Sequence, residues 1–486
     1  MEDENEMKAT SHATALVGLL LGISFLLCAG IAMLYHDPLS VRASFFVTGL
    51  ACILISGSAW FWSRGSTELN KRDGIVLVLV SWLLCGGIGA LPYLLTGTIS
   101  DPVSALFESF SGFTTTGASV LTDLEQLPRA ILFWRSLTHF LGGVGILIVF
   151  VAILPFVGAG GVQLYKAEST GLITDRLTAR IADTARIIFG IYIVLNVLCA
   201  LLLRLGGLSW FDSACHAFGT IATGGFSTRT DSVAAFNNPY VEWVIILFMF
   251  LSGVSFVLHY RALKGAYSAY LRSDEFKLFA VLCVAVSLLS AFLIQAPLGL
   301  SFSNALRTTA FQTISLFSTT GFVTADYDVW PDVIRLIFLI LMVFGACAGS
   351  TSGALKSVRV VVVWKIIVHQ MNNIINPKRV ASIKLDGKPI TLELANKAAT
   401  YVATYLMIIW IASFLVSMFV PDAMTAISSV IACLGGVGPG MGGAGPTETF
   451  AHFPAIAKSI LIVCMLLGRL EIYVCLVVLI PSFWKR

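Results

Sequence analysis

Predominantly apolar runs of about twenty residues, separated by polar or glycine-containing stretches, recur from one end of the chain to the other. An α-helix needs about 20 such residues to cross roughly 30 Å of hydrocarbon. The runs predict ten spans, at roughly 14–35, 43–63, 74–96, 131–157, 186–205, 240–261, 276–295, 334–370, 398–420 and 456–484. As one helix rising about 1.5 Å per residue, the eighth would measure about 55 Å, almost twice the hydrocarbon thickness. It must tilt, protrude or break. The stretch Gly345-Ala-Cys-Ala-Gly-Ser-Thr-Ser-Gly353 is small, polar and poor in helix formers, so the break is expected there.

Four connections, 97–129, 206–240, 296–334 and 421–458, each carry a short, moderately apolar stretch that ends in a glycine-containing turn. Aligned on the turn, they run Ala105–Gly117, Ser213–Gly225, Thr309–Gly321 and Ala426–Gly438, and the four glycines lie 108, 96 and 117 residues apart. Each turn falls between two spans, which is internal repetition. A segment of about ten residues cannot cross the bilayer, and non-helical backbone at that depth survives only when buried in protein or lining water. The expected fold is an all-α polytopic membrane protein. Four helix/re-entrant-loop/helix repeats surround a pseudo-fourfold pore, and an N-terminal two-helix hairpin stands outside them. The boundaries read 1–66 for the hairpin, then 67–160, 161–265, 266–375 (with a broken second helix) and 376–486 for the repeats.

Composition agrees: 57% of residues are hydrophobic and 12% charged, against about 25% charged in soluble domains. The net charge of +4 matters through its placement. Lysines and arginines crowd the connections on one side, which the positive-inside rule makes cytoplasmic, together with both termini. The four opposite connections hold only Arg129, Arg229, Arg307 and Lys458 beside eleven carboxylates. Because the first run follows acidic residues and lacks a small-residue cleavage pattern, a removed signal peptide is not expected. Ten dispersed cysteines form no Cys-x-x-Cys pair, seven histidines show no ligand spacing, and no phosphate-binding loop or nucleophile elbow occurs. An enzyme, a resident cofactor and ATP hydrolysis are therefore not expected.

Four turns around one axis point to a cation filter. The carbonyls of Thr115-Thr116-Gly117, Thr223-Gly224-Gly225, Thr319-Thr320-Gly321 and Gly436-Val437-Gly438 can replace the hydration shell of an ion. Glycine permits positive φ there, and each short helix would aim its negative C-terminal end at the ion. Packing devices of small residues are the alternative source of such a pattern. In the broken eighth span, Gly345, Gly349, Ser350, Thr351, Ser352 and Gly353 are candidates for an intramembrane gate, with a fixed kink as the alternative. Arg469 lies deep in an apolar run, so it should be paired or in water. It is read as pore-facing beneath the filter, the alternative being a bridge to a carboxylate. Lys356 could neutralise the gating loop, contact its carbonyls, or mark the cytoplasmic end of the eighth span. On the cytoplasmic side, Lys378-Arg379 precedes a segment, Ser382–Thr391, that reads as a hairpin around Asp386-Gly387.

The Thr-Thr-Gly turns, Gly224-Gly-Phe-Ser-Thr228, Gly345–Lys356 and Gly468-Arg-Leu-Glu-Ile472 together resemble the membrane subunit of the Trk-type potassium transporters, of the Trk/Ktr/HKT superfamily. The resemblance covers essentially the whole chain. It implies potassium uptake across the cytoplasmic (inner) membrane, a homodimer, and docking of a cytosolic nucleotide-binding regulatory subunit of NAD or ATP type. Potassium is then substrate at the filter, membrane lipid is the other contact, and no nucleic acid is expected. In plant relatives a serine at the first filter glycine accompanies sodium preference; Gly117 resembles the potassium pattern. One departure is Gly435-Gly436 where the fourth turn of such proteins often has asparagines. An alternating-access porter coupling potassium to protons or sodium is the rival mechanism, whose substrate would sit at broken helices. Only the eighth span looks broken from the sequence.

Overall fold

The computed structural model describes residues 2–63, 71–153, 181–377 and 382–484. Among these, seven helices are long and apolar enough to cross a membrane: Thr10–Leu34, Leu39–Trp62, Arg72–Leu95, Ala185–Leu205, Asp274–Gln295, Ser357–Ile375 and Leu392–Ser417. Leu20, Ile23, Leu27, Leu54, Ile55, Trp410 and Phe414 are each more than half exposed on their outward faces. Such a surface suits lipid and not water.

The first two helices, Glu2–Leu34 and Leu39–Trp62, cross through small residues. A Cβ on Gly22 would lie 3.0 Å from the Gly49 carbonyl oxygen, and one on Gly49 would lie 3.0 Å from that of Gly22. This pair docks on the helix Arg129–Ile153, where the Phe25 and Trp134 rings are 4.6 Å apart. The Asp37 carboxylate accepts bonds from the amides of Arg129 at 3.1 Å and Ala130 at 2.8 Å. A residue of the hairpin thus caps a helix distant in sequence, satisfying amides that the helix cannot satisfy itself.

Four short helices, Pro102–Phe113, Trp210–Ile221, Phe302–Phe317 and Ala423–Gly435, lie between long ones. Each starts on a side-chain cap. Asp101 accepts from the Ser104 amide at 2.9 Å, Ser209 from Asp212 at 3.0 Å, Ser301 from Asn304 at 3.4 Å and Asp422 from Thr425 at 2.8 Å. The hydroxyls and amides of Ser104 and Thr425 hold the Asp101 and Asp422 carboxyls below their usual range. The third helix, at 16 residues, is about one turn longer than the others. All four end alike: the amides of Thr116, Gly224, Thr320 and Val437 donate to carbonyls five residues back, those of Ser111, Gly219, Ser315 and Ala432, at 2.8–2.9 Å. This is the Schellman closure, which needs a left-handed residue just before the donor.

The eighth span breaks as expected, into Asp332–Phe344 and Ser357–Ile375, and the irregular segment extends to Lys356. Two other spans differ from their expected single helices. The sixth bends by 97° between Pro239–Gly253 and Phe256–Leu263. Its break is stitched to that of the eighth: Cys347 N–H donates to Gly253 O at 3.0 Å, and Phe256 N–H to Gly349 O at 2.9 Å. Each interruption satisfies backbone groups freed by the other, a partner invisible in a single hydrophobic run. The tenth span divides into Ala455–Arg469, Ile472–Val477 and Pro481–Trp484. Its first break is at Glu471, with φ of 67° and a carboxylate bonded to Arg359 at 2.9 Å.

Lys384–Leu385 pairs antiparallel with Lys388–Pro389. Asp386 and Gly387 turn between them at φ of 50° and 79°, the two positive angles of a type I′ hairpin. The preceding Lys378-Arg379 and the basic residues Lys166, Arg176 and Arg180 lie outside the described residues.

Candidate functional site

The four glycine turns are neighbours in a closed cycle. A Cβ on Gly117 would lie 2.1 Å from the carbonyl oxygen of Gly224, and one on Gly225 would lie 2.1 Å from that of Thr320. One on Gly321 would lie 1.9 Å from the oxygen of Val437, and one on Gly438 would lie 2.7 Å from that of Thr116. The same pair of positions makes all four contacts, from first turn to second, second to third, third to fourth and fourth to first. These glycines have φ of 83°, 80°, 79° and 97°, so glycine is required both for space and for conformation. Two residues earlier, Thr115, Thr223 and Thr319 hold φ of 52°, 53° and 61°. A β-branched residue there is an outlier that costs about 1–3 kcal/mol, and such strain gathers at functional sites. Gly436 takes that place in the fourth turn, at φ of 65°.

A buried ion pair braces the first two turns. Arg135 Nε donates to Glu108 Oε1 at 2.8 Å, with both side chains at most 2% exposed. The same guanidinium donates to Ser227 O at 3.0 Å and lies 4.0 Å from the Phe226 ring centroid. Glu108 in turn accepts from the Val120 amide at 2.9 Å. His139 joins the ends of the two turns: the Phe226 amide donates to Nε2 at 3.1 Å, and Nδ1 donates to Gly112 O at 2.8 Å. The amide can only donate, so the ring is neutral with its proton on Nδ1. Further links repeat the order of neighbours: Ala234 N–H to Val323 O at 3.2 Å, Tyr327 hydroxyl to Gly440 O at 2.9 Å, and Phe450 N–H to Ser119 O at 2.9 Å. Sequence reasoning singled out none of Glu108, Arg135 and His139 as site residues. The reasoning applied to Arg469 fits Arg135 equally, since it too is a charge within an apolar run.

The irregular segment Gly345–Lys356 lies against the turns. Gly353 N–H donates to Thr319 Oγ1 at 2.8 Å, and a Cβ on Gly353 would lie 2.2 Å from Gly435 O. The Thr351 hydroxyl donates to Ile221 O, at the end of the second short helix, at 2.8 Å. Arg469 is buried and donates from Nη1 to Thr351 O at 2.7 Å and from Nη2 to Gly142 O at 3.1 Å, while its Nε has no partner among the described residues. Both partners are carbonyls. Residues from all four of the expected repeats therefore touch this segment or the arginine that holds it. Lys356 Nζ donates to Ser352 O, the second of the roles open to it from sequence. Ser350 bonds to Cys347 O at 2.5 Å and to Ser352 Oγ at 2.8 Å, so the three predicted hydroxyls all bond within the protein. Positive φ recurs along the segment, at Gly345, Gly349, Ala354 and Lys356.

A family model described as TrkH, cation transport protein, matches residues 41–486. The chain belongs to the TrkH family. Its relatives include the Trk system potassium uptake protein TrkH of Salmonella typhimurium, 36% identical with 99% of each chain covered. The TrkH protein of Escherichia coli is 35% identical, again over 99% of each. The crystal structure of the potassium transporter TrkH from Vibrio parahaemolyticus superposes with a TM-score of 0.90 at 31% identity, covering 99% of this chain and 100% of that one. Together with the apolar helices, membership of the TrkH family makes this an integral membrane protein.

Proposed function

We propose that this chain admits potassium ions across the inner membrane through a gated, channel-like pore along the axis on which the four turns meet. The observation that carries this reading is the closed cycle of glycine-to-carbonyl contacts, in which the oxygens of Thr116, Gly224, Thr320 and Val437 take equivalent places in four turns. Carbonyls so placed substitute for an ion's hydration shell, and the C-terminal ends of the four short helices add negative potential. The names of the relatives support potassium as the cargo. A membrane potential supplies about 2.3 kcal/mol per charge per 100 mV for uptake.

In this reading the segment Gly345–Lys356 is the gate, and Arg469 beneath the turns limits how strongly an ion is retained. Both termini are cytoplasmic. The chain works as a homodimer, and the basic cytoplasmic connections receive a nucleotide-binding regulatory subunit of the Trk system. An alternating-access symporter is the second reading. Three broken spans favour it, the sixth at 254–255, the eighth at 345–356 and the tenth first at 470–471, where the sequence promised one.

Potassium and sodium fluxes into proteoliposomes holding the purified full chain, with and without an imposed potential, test both readings. The potential alone is expected to drive potassium in preference to sodium. Gly117→Ser is expected to admit sodium, because its side chain meets the Gly224 carbonyl in a backbone conformation that favours glycine. Flux that needs a proton or sodium gradient would replace the channel with the symporter. Flux without potassium preference would overturn the filter. Silence in both forms calls for addition of the regulatory subunit, and silence in its presence overturns the function.

A further inference from the structure

The helix Asp274–Gln295 begins with two adjacent carboxylates that face different parts of the molecule. Asp274 faces the hairpin Lys384–Pro389: its amide donates to Asp386 Oδ1 at 2.7 Å, and its own Oδ2 accepts from the Asp386 amide at 3.1 Å. Lys365, on the helix Ser357–Ile375, bonds both to Asp274 Oδ2 and to Lys384 O, the latter at 2.7 Å. Glu275 faces the irregular segment. A single oxygen, Oε1, accepts from the Ala348 amide at 2.6 Å and from the Val358 amide at 3.0 Å. Val358 lies in the first turn of the following helix, whose amides have no intrahelical partner, so Glu275 is a remote N-cap as well as a clasp on the segment. Apolar packing runs along the same line. Ala348 shares a small buried cluster, separate from the main core, with Val358, Val361 and Val362 and with Ile383 and Leu385 of the hairpin.

We propose that Glu275 is a positioning residue that latches the segment Gly345–Lys356, and that the hairpin Lys384–Pro389 sets the latch through Asp274. This rests on the reading of that segment as the gate. The hairpin offers an exposed face on the side where a regulatory contact would arrive, and three bonded steps separate it from the segment under the turns. The latch has something to restrain: Ala354 and Lys356 hold φ of 57° and 65°, strained for residues with a Cβ, and the strain is released when the clasp opens. Because one oxygen holds both amides, its withdrawal frees the segment and the start of the next helix together.

The test uses the native thiol within the segment, Cys347, which is fully buried. Full-length wild type, Glu275→Ala, Glu275→Gln and Asp274→Ala are reconstituted. Resting potassium flux is measured beside the alkylation rate of Cys347, read by mass spectrometry of its peptide. Glu275→Ala is expected to raise both by about tenfold, in line with losing hydrogen bonds to a charged group. Glu275→Gln, whose amide oxygen still accepts, should raise them less, and Asp274→Ala should fall between. Potassium preference over sodium should stay unchanged throughout. Unchanged alkylation in Glu275→Ala protein that elutes as the wild type overturns the latch, and if that variant does not fold, unchanged alkylation in Asp274→Ala does so. Faster alkylation with unchanged flux keeps the latch and overturns the gate. Deletion of 347–353 tests the gate without Glu275.

Discussion

The cycle of turns and the segment that lies against it are both made of glycine-rich backbone with positive φ, yet side-chain hydrogen bonds have a larger share in holding the segment. Each turn is the closure of a capped helix, and its glycine rests against the carbonyl of the next turn at a distance that leaves no room for a methyl group. The segment Gly345–Lys356 is not continuous with either flanking helix. Beside the backbone bonds that join Cys347 and Gly349 to the sixth span and the close approach of Gly353 to Gly435 O, side chains hold it, chiefly Glu275, Thr351, Lys356 and Arg469, each through one or two hydrogen bonds. Packing of the first kind yields only by collective displacement, because close-packed interiors transmit strain. Bonds of the second kind break singly, at about 0.5–3 kcal/mol each. In the proposed reading, rigidity where ions are told apart and release where their passage is controlled therefore have separate physical sources in one molecule.

Four substitutions probe that contrast. The largest effect is expected from Arg135→Leu. It leaves Glu108 buried without its partner behind the first two turns, at a cost of about 3–5 kcal/mol. Thermal unfolding of the detergent-solubilised protein should shift down sharply, and a wild-type melting profile would mean that the turns do not depend on this brace. Next is Gly321→Ala. A methyl group 1.9 Å from Val437 O must displace the fourth turn, and overpacking of this kind costs about 1–3 kcal/mol. The potassium-to-sodium flux ratio should fall by about tenfold or more, whereas an unchanged ratio would remove this contact from selectivity. Gly353→Ala sharpens the comparison from the other side. Its methyl group would meet Gly435 O at 2.2 Å and press the segment away from the turns. Resting flux should rise several-fold, an effect of order 1 kcal/mol, with the ion ratio preserved. Loss of preference without extra flux would show the segment to be part of the filter. The smallest effect belongs to Asp37→Ala, which removes a remote helix cap worth about 1 kcal/mol. Stability should drop by that amount while flux and preference stay as they were.

Much of this was legible in one dimension. The turns announce themselves through Thr-Thr-Gly and its variants between apolar runs, and the break in the eighth span through a run too long for one crossing. The short helices carried a further signal in Asp101, Ser209, Ser301 and Asp422, each a cap residue at the start of its segment. The bend after Gly253 was not legible, since its compensation comes from Cys347 and Gly349, about a hundred residues away. Nor was the role of Glu275 visible. A glutamate at the first turn of a helix reads as an ordinary favourable charge, and only its Oε1 contacts with Ala348 and Val358 show what it holds.

The sequence by itself determined the membrane as solvent, the apolar helices, the four turns and the places where glycine was indispensable, because these follow from hydrophobic length and local backbone sterics. Tertiary structure alone decided which turn touches which, that Arg469 bonds to the carbonyls of Thr351 and Gly142, and that the hairpin at Asp386 is bonded to Asp274, next to the glutamate that holds Ala348. Those are contacts between residues far apart in the chain. Periodicity carries no record of them, and they form only when the buried backbone groups of one broken helix must find partners on another.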